Sequence, residues 1–319
     1  MTDYRYSRYY YKPRRKKGKL IFSLLLILLV GGGVVYSVLF LDVRRLYGGA
    51  LDRYRVLFND YRFLEKNLQS GNYNVVIQEG TPYLLKRPYN PRLIRYLGEA
   101  YYQISSGLAG KEKEDSIDKA IRYLRKGIVL SSYNDFLAKS YYILGMSYFK
   151  KGAYYHELAA EYLRKALDAG YKDNTVFEIL GYCYYKLGVY DQAVVYLARA
   201  KESNPKDVVR LYLAYSYDSK GDSKTAMEEL EVLADASKDD AILEEAFSLM
   251  ATINVRSGNL TAARENLKKI FELNQNSADA HYWLGNVFEK EGDMLSARKE
   301  WRVALKIDPK HIGAIEKLY

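Results

Sequence analysis

Apolar and small residues fall at three- and four-residue intervals through two separated stretches of the chain, and both stretches carry one pattern. Leu180-Gly181 is followed by Tyr184, Gly188, Ala193, Leu197, Ala200 and Pro205. Leu284-Gly285 is followed by Phe288, Gly292, Ala297, Trp301, Ala304 and Pro309, with every interval kept. The Leu, the Gly and the aromatic share one stripe of a helix, and the Gly lets a second helix come close. A second Gly ends that helix. The small–large–small spacing that follows marks another helix with a narrow face, which the Pro terminates. Each unit therefore predicts a pair of antiparallel helices that cannot bury its apolar face alone and must stack on copies of itself.

Further copies follow the same skeleton. One runs through Tyr141, Leu144-Gly145, Tyr148, Gly152, Ala159, Leu163 and Ala166, with extra residues at the turn holding Tyr154 and Tyr155. Others use Leu213-Ala214, Tyr217, Gly221, Ala226, Leu230 and Leu233, then Met250-Ala251, Gly258, Ala263, Leu267 and Ile270. Leu97-Gly98 and Tyr101 are followed by a polar stretch, 105–116, which reads as an inserted solvated loop before Ala120 and Leu124. Phe63-Leu64, Gly71, Tyr73, Val76, Tyr83 and Pro88 form a degenerate first copy.

Ahead of the repeats, Leu20 to Leu41 is an uncharged apolar run of 22 residues, long enough to cross a bilayer as a helix. A cleaved secretory signal has an apolar core of about 7–15 residues and a small-residue cleavage site, so the run reads as a retained transmembrane helix. Residues 1–19 hold eight Lys and Arg, including Arg14, Arg15, Lys16, Lys17 and Lys19, against Asp3 alone. That imbalance predicts a cytoplasmic tail and exported repeats. Most of the net charge of +10 sits in this tail, leaving the repeats near neutral, so no nucleic-acid partner is expected. Residues 42–56 begin an amphipathic linker or capping helix that extends towards 62. Residues 312–319 are too short for a further repeat and predict a C-terminal cap.

Candidate chemistry is sparse. His156, His281 and His311 lie in different units, and no HExxH or CxxC occurs, so neither metal nor cofactor is expected. Cys183 is the single cysteine and reads as a small buried residue. The sequence carries no motif that points to an enzyme. Gly33 and Ser37 form a small-xxx-small pair in the apolar run, so homo-oligomerisation stays open.

In spacing and order of sizes the units resemble the tetratricopeptide repeat family, whose motif W-x₂-L-G-x₂-Y…A-x₃-F…P spans about 34 residues. The resemblance implies an all-α superhelix, an α-solenoid of seven helix pairs over 57–311 preceded by one transmembrane helix. It also implies that the motif aromatics Tyr101, Tyr148, Tyr184 and Tyr217 belong to the core. The concave face is then lined by first-helix residues, here Tyr142, Met146, Phe149, Tyr182, Tyr185, Leu211 and Tyr215. Such a surface suits a protein partner presented as an extended peptide or a helix. Members that grip a chaperone's C-terminal carboxylate use Lys and Asn on successive first helices. Here only Lys139, Asn286, Arg92 and Arg95 offer that chemistry, on scattered repeats, so the activity is not expected.

The layout resembles bacterial periplasmic repeat proteins anchored in the inner membrane. Two roles follow from it: a membrane-tethered interaction scaffold of the cell envelope, or a structural part of a large envelope machine such as a periplasmic flagellar-motor collar. An organelle import receptor with cytosolic repeats is a third, disfavoured by the basic tail.

Overall fold

The computed structural model describes residues 61–131 and 134–319. The expected tail, transmembrane helix and linker, and the start of the first repeat, lie outside the described residues. Among those described, no helix is long and apolar enough to cross a membrane.

The described residues form fifteen α-helices, two 3₁₀ turns and no strand. They come as seven consecutive pairs: α1 (Arg62–Gln69) with α2 (Tyr73–Lys86), α3 (Pro91–Ile104) with α4 (Gly110–Leu130), and α5 (Asn134–Lys151) with α6 (His156–Asp168). Then follow α7 (Thr175–Lys186) with α8 (Tyr190–Ser203), α9 (Asp207–Ser219) with α10 (Ser223–Ala236), α11 (Asp240–Ser257) with α12 (Leu260–Leu273), and α13 (Ala278–Glu291) with α14 (Met294–Ile307). A short helix α15 (Ile312–Leu318) packs on α14.

In four pairs the two helices come close because the motif glycine, Gly98, Gly145, Gly181 or Gly285, offers no side chain, and in two others Ala214 and Ala251 take its place. A Cβ built on Gly285 would stand 2.4 Å from Trp301 Nε1 on α14, so only hydrogen fits there. The buried Ala297, Trp301 and Ala304 complete that interface. The turn that follows is also set by sequence. Gly292 closes α13 in the left-handed region, φ 88°, and Asp293 then accepts from the Ser296 N–H to cap α14. Asp222 and Asn259 cap α10 and α12 in the same way. A cap of this kind is worth about 1 kcal/mol.

Pairs join through interleaved cores. The buried Leu211, Ala214 and Leu230 of one pair share a cluster with Phe247, Met250 and Leu267 of the next. Fully burying each such side chain contributes roughly 1.5–3 kcal/mol. First helices also touch first helices of the following pair, α3 to α5, α7 to α9, α9 to α11 and α11 to α13. They thereby form a common face.

The stretch 105–116 is largely exposed, as expected of a solvated insertion, but it is not a loop. Residues 105–107 form a 3₁₀ turn, and α4 begins at Gly110 and runs 21 residues. Its first turns are rich in Lys and Glu, which are good helix formers. They are held by Ile117 in the core, by Ser116 Oγ donating to Tyr101 O at 2.9 Å, and by an ion pair of Lys151 with Asp118 at 2.6 Å.

Candidate partner-binding surface

Two sets of aromatic contacts stand out among the described tyrosines. In the first, the motif aromatic of a first helix stacks on the residue just before the large residue of its paired second helix. Tyr101 lies on Tyr123 with ring centroids 5.7 Å apart, Tyr148 on Tyr162 at 5.7 Å and Tyr184 on Tyr196 at 5.5 Å, all within 12° of parallel. Tyr148 is buried, whereas Tyr101, Tyr184 and Tyr217 are half-buried, which corrects the expectation that all four are core. The rings of Tyr101 and Tyr184 still pack against the core, and a phenol keeps its polar tip towards water or a partner. Tyr148 meets Arg125 and Tyr184 meets Arg164, each from the preceding pair.

The second set lies on the first-helix face. Phe149 of α5 stands edge-on to Tyr182 of α7 at 5.7 Å, and Tyr182 stands edge-on to Tyr212 of α9 at 4.8 Å. Tyr185 lies 5.3 Å from Tyr212 and 5.8 Å from Tyr215. Rings on three successive first helices therefore form one continuous series. Beside it opens a cavity of about 320 Å³, lined by Phe149, Ile179, Tyr182, Val208, Val209 and Tyr212, with Glu178 and Leu197. Val208 is exposed at its edge. An ion pair of Lys206 with Glu178, 2.7 Å, bounds one side.

Charge surrounds this apolar site. The Lys186 ammonium lies 5.4 Å from the Tyr182 and Tyr185 ring centres and 5.5 Å from that of Tyr212, within the range of cation–π attraction. His156 is buried between Phe149 and Tyr182, and burial, with Lys186 second, holds its pKa below the usual imidazole range. Burial pushes Tyr212 up to about 12, with Tyr182 as the next cause. Tyr185 and Tyr215 are raised, chiefly by burial and then by Tyr190 and Glu245 respectively.

The expected surface residues have divided fates. Phe149, Tyr182, Tyr185 and Tyr215 lie together in the ring series. Tyr142, on the same helix as Phe149, is half-buried and stacks on Tyr171 at 4.3 Å, away from the ring series. Met146 is half-buried against the core of the same region. Leu211 is a correction: it is 1% exposed and packs among Phe247, Met250 and their neighbours, because α11 of the next pair covers it. The adjacent Tyr212 takes the surface position, with Ile179 and Val208. Val208 and Tyr212 are four apart on one helix, a stripe that would have pointed to them.

Other candidate chemistry is engaged locally. Lys139 pairs with Glu99 at 2.6 Å, and Asn286 accepts from the Trp301 indole at 3.1 Å. His281 contacts Glu300 at 2.7 Å and His311 contacts Asp279 at 2.9 Å. Among the described residues no group of three potential metal ligands occurs. Cys183 is buried, which pushes its thiol up to about 12.

Comparison with known families decides what this array is. Models of the tetratricopeptide repeat match residues 156–208 and 278–311, and a further TPR repeat model matches 253–292. The chain is a tetratricopeptide-repeat protein. Among solved structures, this TPR protein is similar to the C-terminal part of a TPR repeat-containing protein from Cytophaga hutchinsonii, at 16% identity and TM-score 0.56, covering 82% of this chain and 100% of that one. It is also similar to the apo form of the quorum sensor NprR from B. thuringiensis, at 16% identity and TM-score 0.59, covering 81% of this chain and 80% of that one. At this identity the likeness is one of fold. No curated protein matches the chain.

Proposed function

We propose that the protein is a membrane-anchored TPR scaffold that binds a protein partner, as an extended peptide or a helix, on its first-helix face. The observation that carries this reading is the cavity of about 320 Å³ between α7 and α9, walled by Phe149, Tyr182 and Tyr212. A site of this size, apolar within and rimmed by charge, suits one large side chain of a partner, with neighbouring partner residues lying along the ring series. Membrane attachment rests on the apolar run Leu20 to Leu41, and export of the repeats on the basic residues before it.

Two experiments test the two halves. Reporters fused after Tyr319 test topology: a reporter active only outside the cytoplasm works, and activity of a cytoplasmic reporter alone contradicts export. Affinity purification of the full chain from solubilised membranes, with bound proteins identified, tests the scaffold. A protein recovered with the wild type and lost from Tyr182→Ala supports it, and an unchanged set of bound proteins counts against it.

A further inference from the structure

The second-helix side of the last pair carries a different surface. Along α14, Leu295, Arg298, Lys299, Arg302, Val303 and Lys306 share one strip. Their three- and four-residue spacing keeps them on one side of the helix over about 16 Å. Leu295 heads the strip at 85% exposure, beside Met294 at 44%. None of the four cations has a carboxylate partner among the described residues. The one acidic residue of α14, Glu300, is occupied by His281.

Several other second helices do not look like this. Lys165 of α6 pairs with Glu161, Lys201 of α8 with Glu229 of α10, and Lys224 of α10 with Glu228. On α12, Arg264 pairs with Glu291 and Lys268 with Glu272. Those cations are matched by carboxylates, and Lys119 and Lys126 of α4, which have none, lie over the Tyr101 and Tyr89 rings, whereas among the described residues four cations on α14 have neither kind of partner within little more than a Debye length of one another, about 8–10 Å. Their common field calls for an anionic partner.

We propose that this face of α14 rests on an anionic phospholipid surface, with Leu295 entering the headgroup layer and the four cations contacting lipid phosphates. The strip belongs to a single helix with no second wall, so it fits a flat charged surface better than a peptide needing a groove. Clustered Lys and Arg with an apolar residue on one helix face are the combination that anionic bilayers attract. The proposal is independent of the first-helix cavity. It rests on the membrane reading only in that an anchored chain has a bilayer at hand.

The test uses the full chain with an environment-sensitive dye on Leu295→Cys, since the native Cys183 is buried. Vesicles of phosphatidylcholine alone are compared with vesicles also containing phosphatidylglycerol. Flotation with either vesicle reports the anchor, and the dye reports the strip, so the two readings fail separately. The expected result is a blue shift only with phosphatidylglycerol, abolished by high salt. The docked-to-free ratio should fall about fivefold for each of Arg298, Lys299, Arg302 and Lys306 replaced by Gln. No shift, an equal shift with both vesicles, or a shift that survives Arg298→Glu with Arg302→Glu overturns the proposal. Strip-dependent binding of a polyglutamate peptide without a vesicle response also overturns it, and assigns the face to an acidic protein.

Discussion

Leu197 stands where Gly181 leaves no side chain: a Cβ on Gly181 would lie 2.4 Å from Leu197 Cγ and 3.0 Å from Leu197 N. The backbone contact matters more than the side-chain one, because a leucine can turn aside but α8 cannot retreat without opening its contact with α9. Gly181→Ala should therefore lower stability by about 1–3 kcal/mol. Gly107→Ala, where nothing lies within 4 Å, should stay within about 0.5 kcal/mol. Urea unfolding of the two variants checks the contrast, and equal midpoints would refute close packing of the pair.

A second prediction concerns the last pair. The Trp301 indole N–H donates to Asn286 Oδ1 at 3.1 Å, with both residues buried. Asn286→Ala strands that donor and should cost about 1–3 kcal/mol. Trp301→Ala should cost about 3–5 kcal/mol through the cavity it leaves. The double variant Trp301→Phe with Asn286→Leu removes both polar partners and should lose less than Asn286→Ala alone. Thermal melts of the set decide, and losses that simply add would contradict coupling.

Alkaline pH should destabilise the fold. Burial pushes the Cys183 thiol up to about 12, and Tyr102 and Tyr212 likewise, with Tyr142 and Tyr182 as their second causes. The folded chain keeps these protons where the unfolded chain releases them. Stability is then full below the ordinary thiol and phenol range, about 8.5 to 10, and declines as pH rises towards 12. Urea midpoints measured across this range should fall, and Cys183→Ala should soften the earliest part of the fall. A midpoint that holds steady or rises would show that these groups titrate as they do unfolded.

Much of this architecture is legible in the sequence because the features that make it are local. Leu180-Gly181 and Leu284-Gly285 mark close helix contacts, and Gly292-Asp293 writes a helix end and the next helix start in adjacent residues. The surface is less legible. Leu211 and Tyr212 are neighbours about 100° apart on one helix, and only the path of α11 from the next pair determines which of them is covered. The polar residues 110–116 read as loop because they bury almost nothing. They are helical because Ile117 and Ser116 tether their far end. The half-exposure of Tyr184 was hidden for a third reason: its partners, Tyr196 and Arg164, come from two different second helices.

Binding of the partner by the first-helix rings is tested best at Tyr212, because it touches Tyr182, Tyr185 and the cavity together. Tyr196 is the matched control, a half-buried tyrosine stacked on Tyr184 on the second-helix side. The measurement is co-purification from solubilised membranes with the wild type, Tyr212→Ala and Tyr196→Ala, alongside their melting curves. Binding by the first-helix rings requires that Tyr212→Ala weakens one bound protein by about 1–2 kcal/mol or more, while Tyr196→Ala, at a similar cost in stability, retains it. Equal retention or equal loss in the two variants would contradict it.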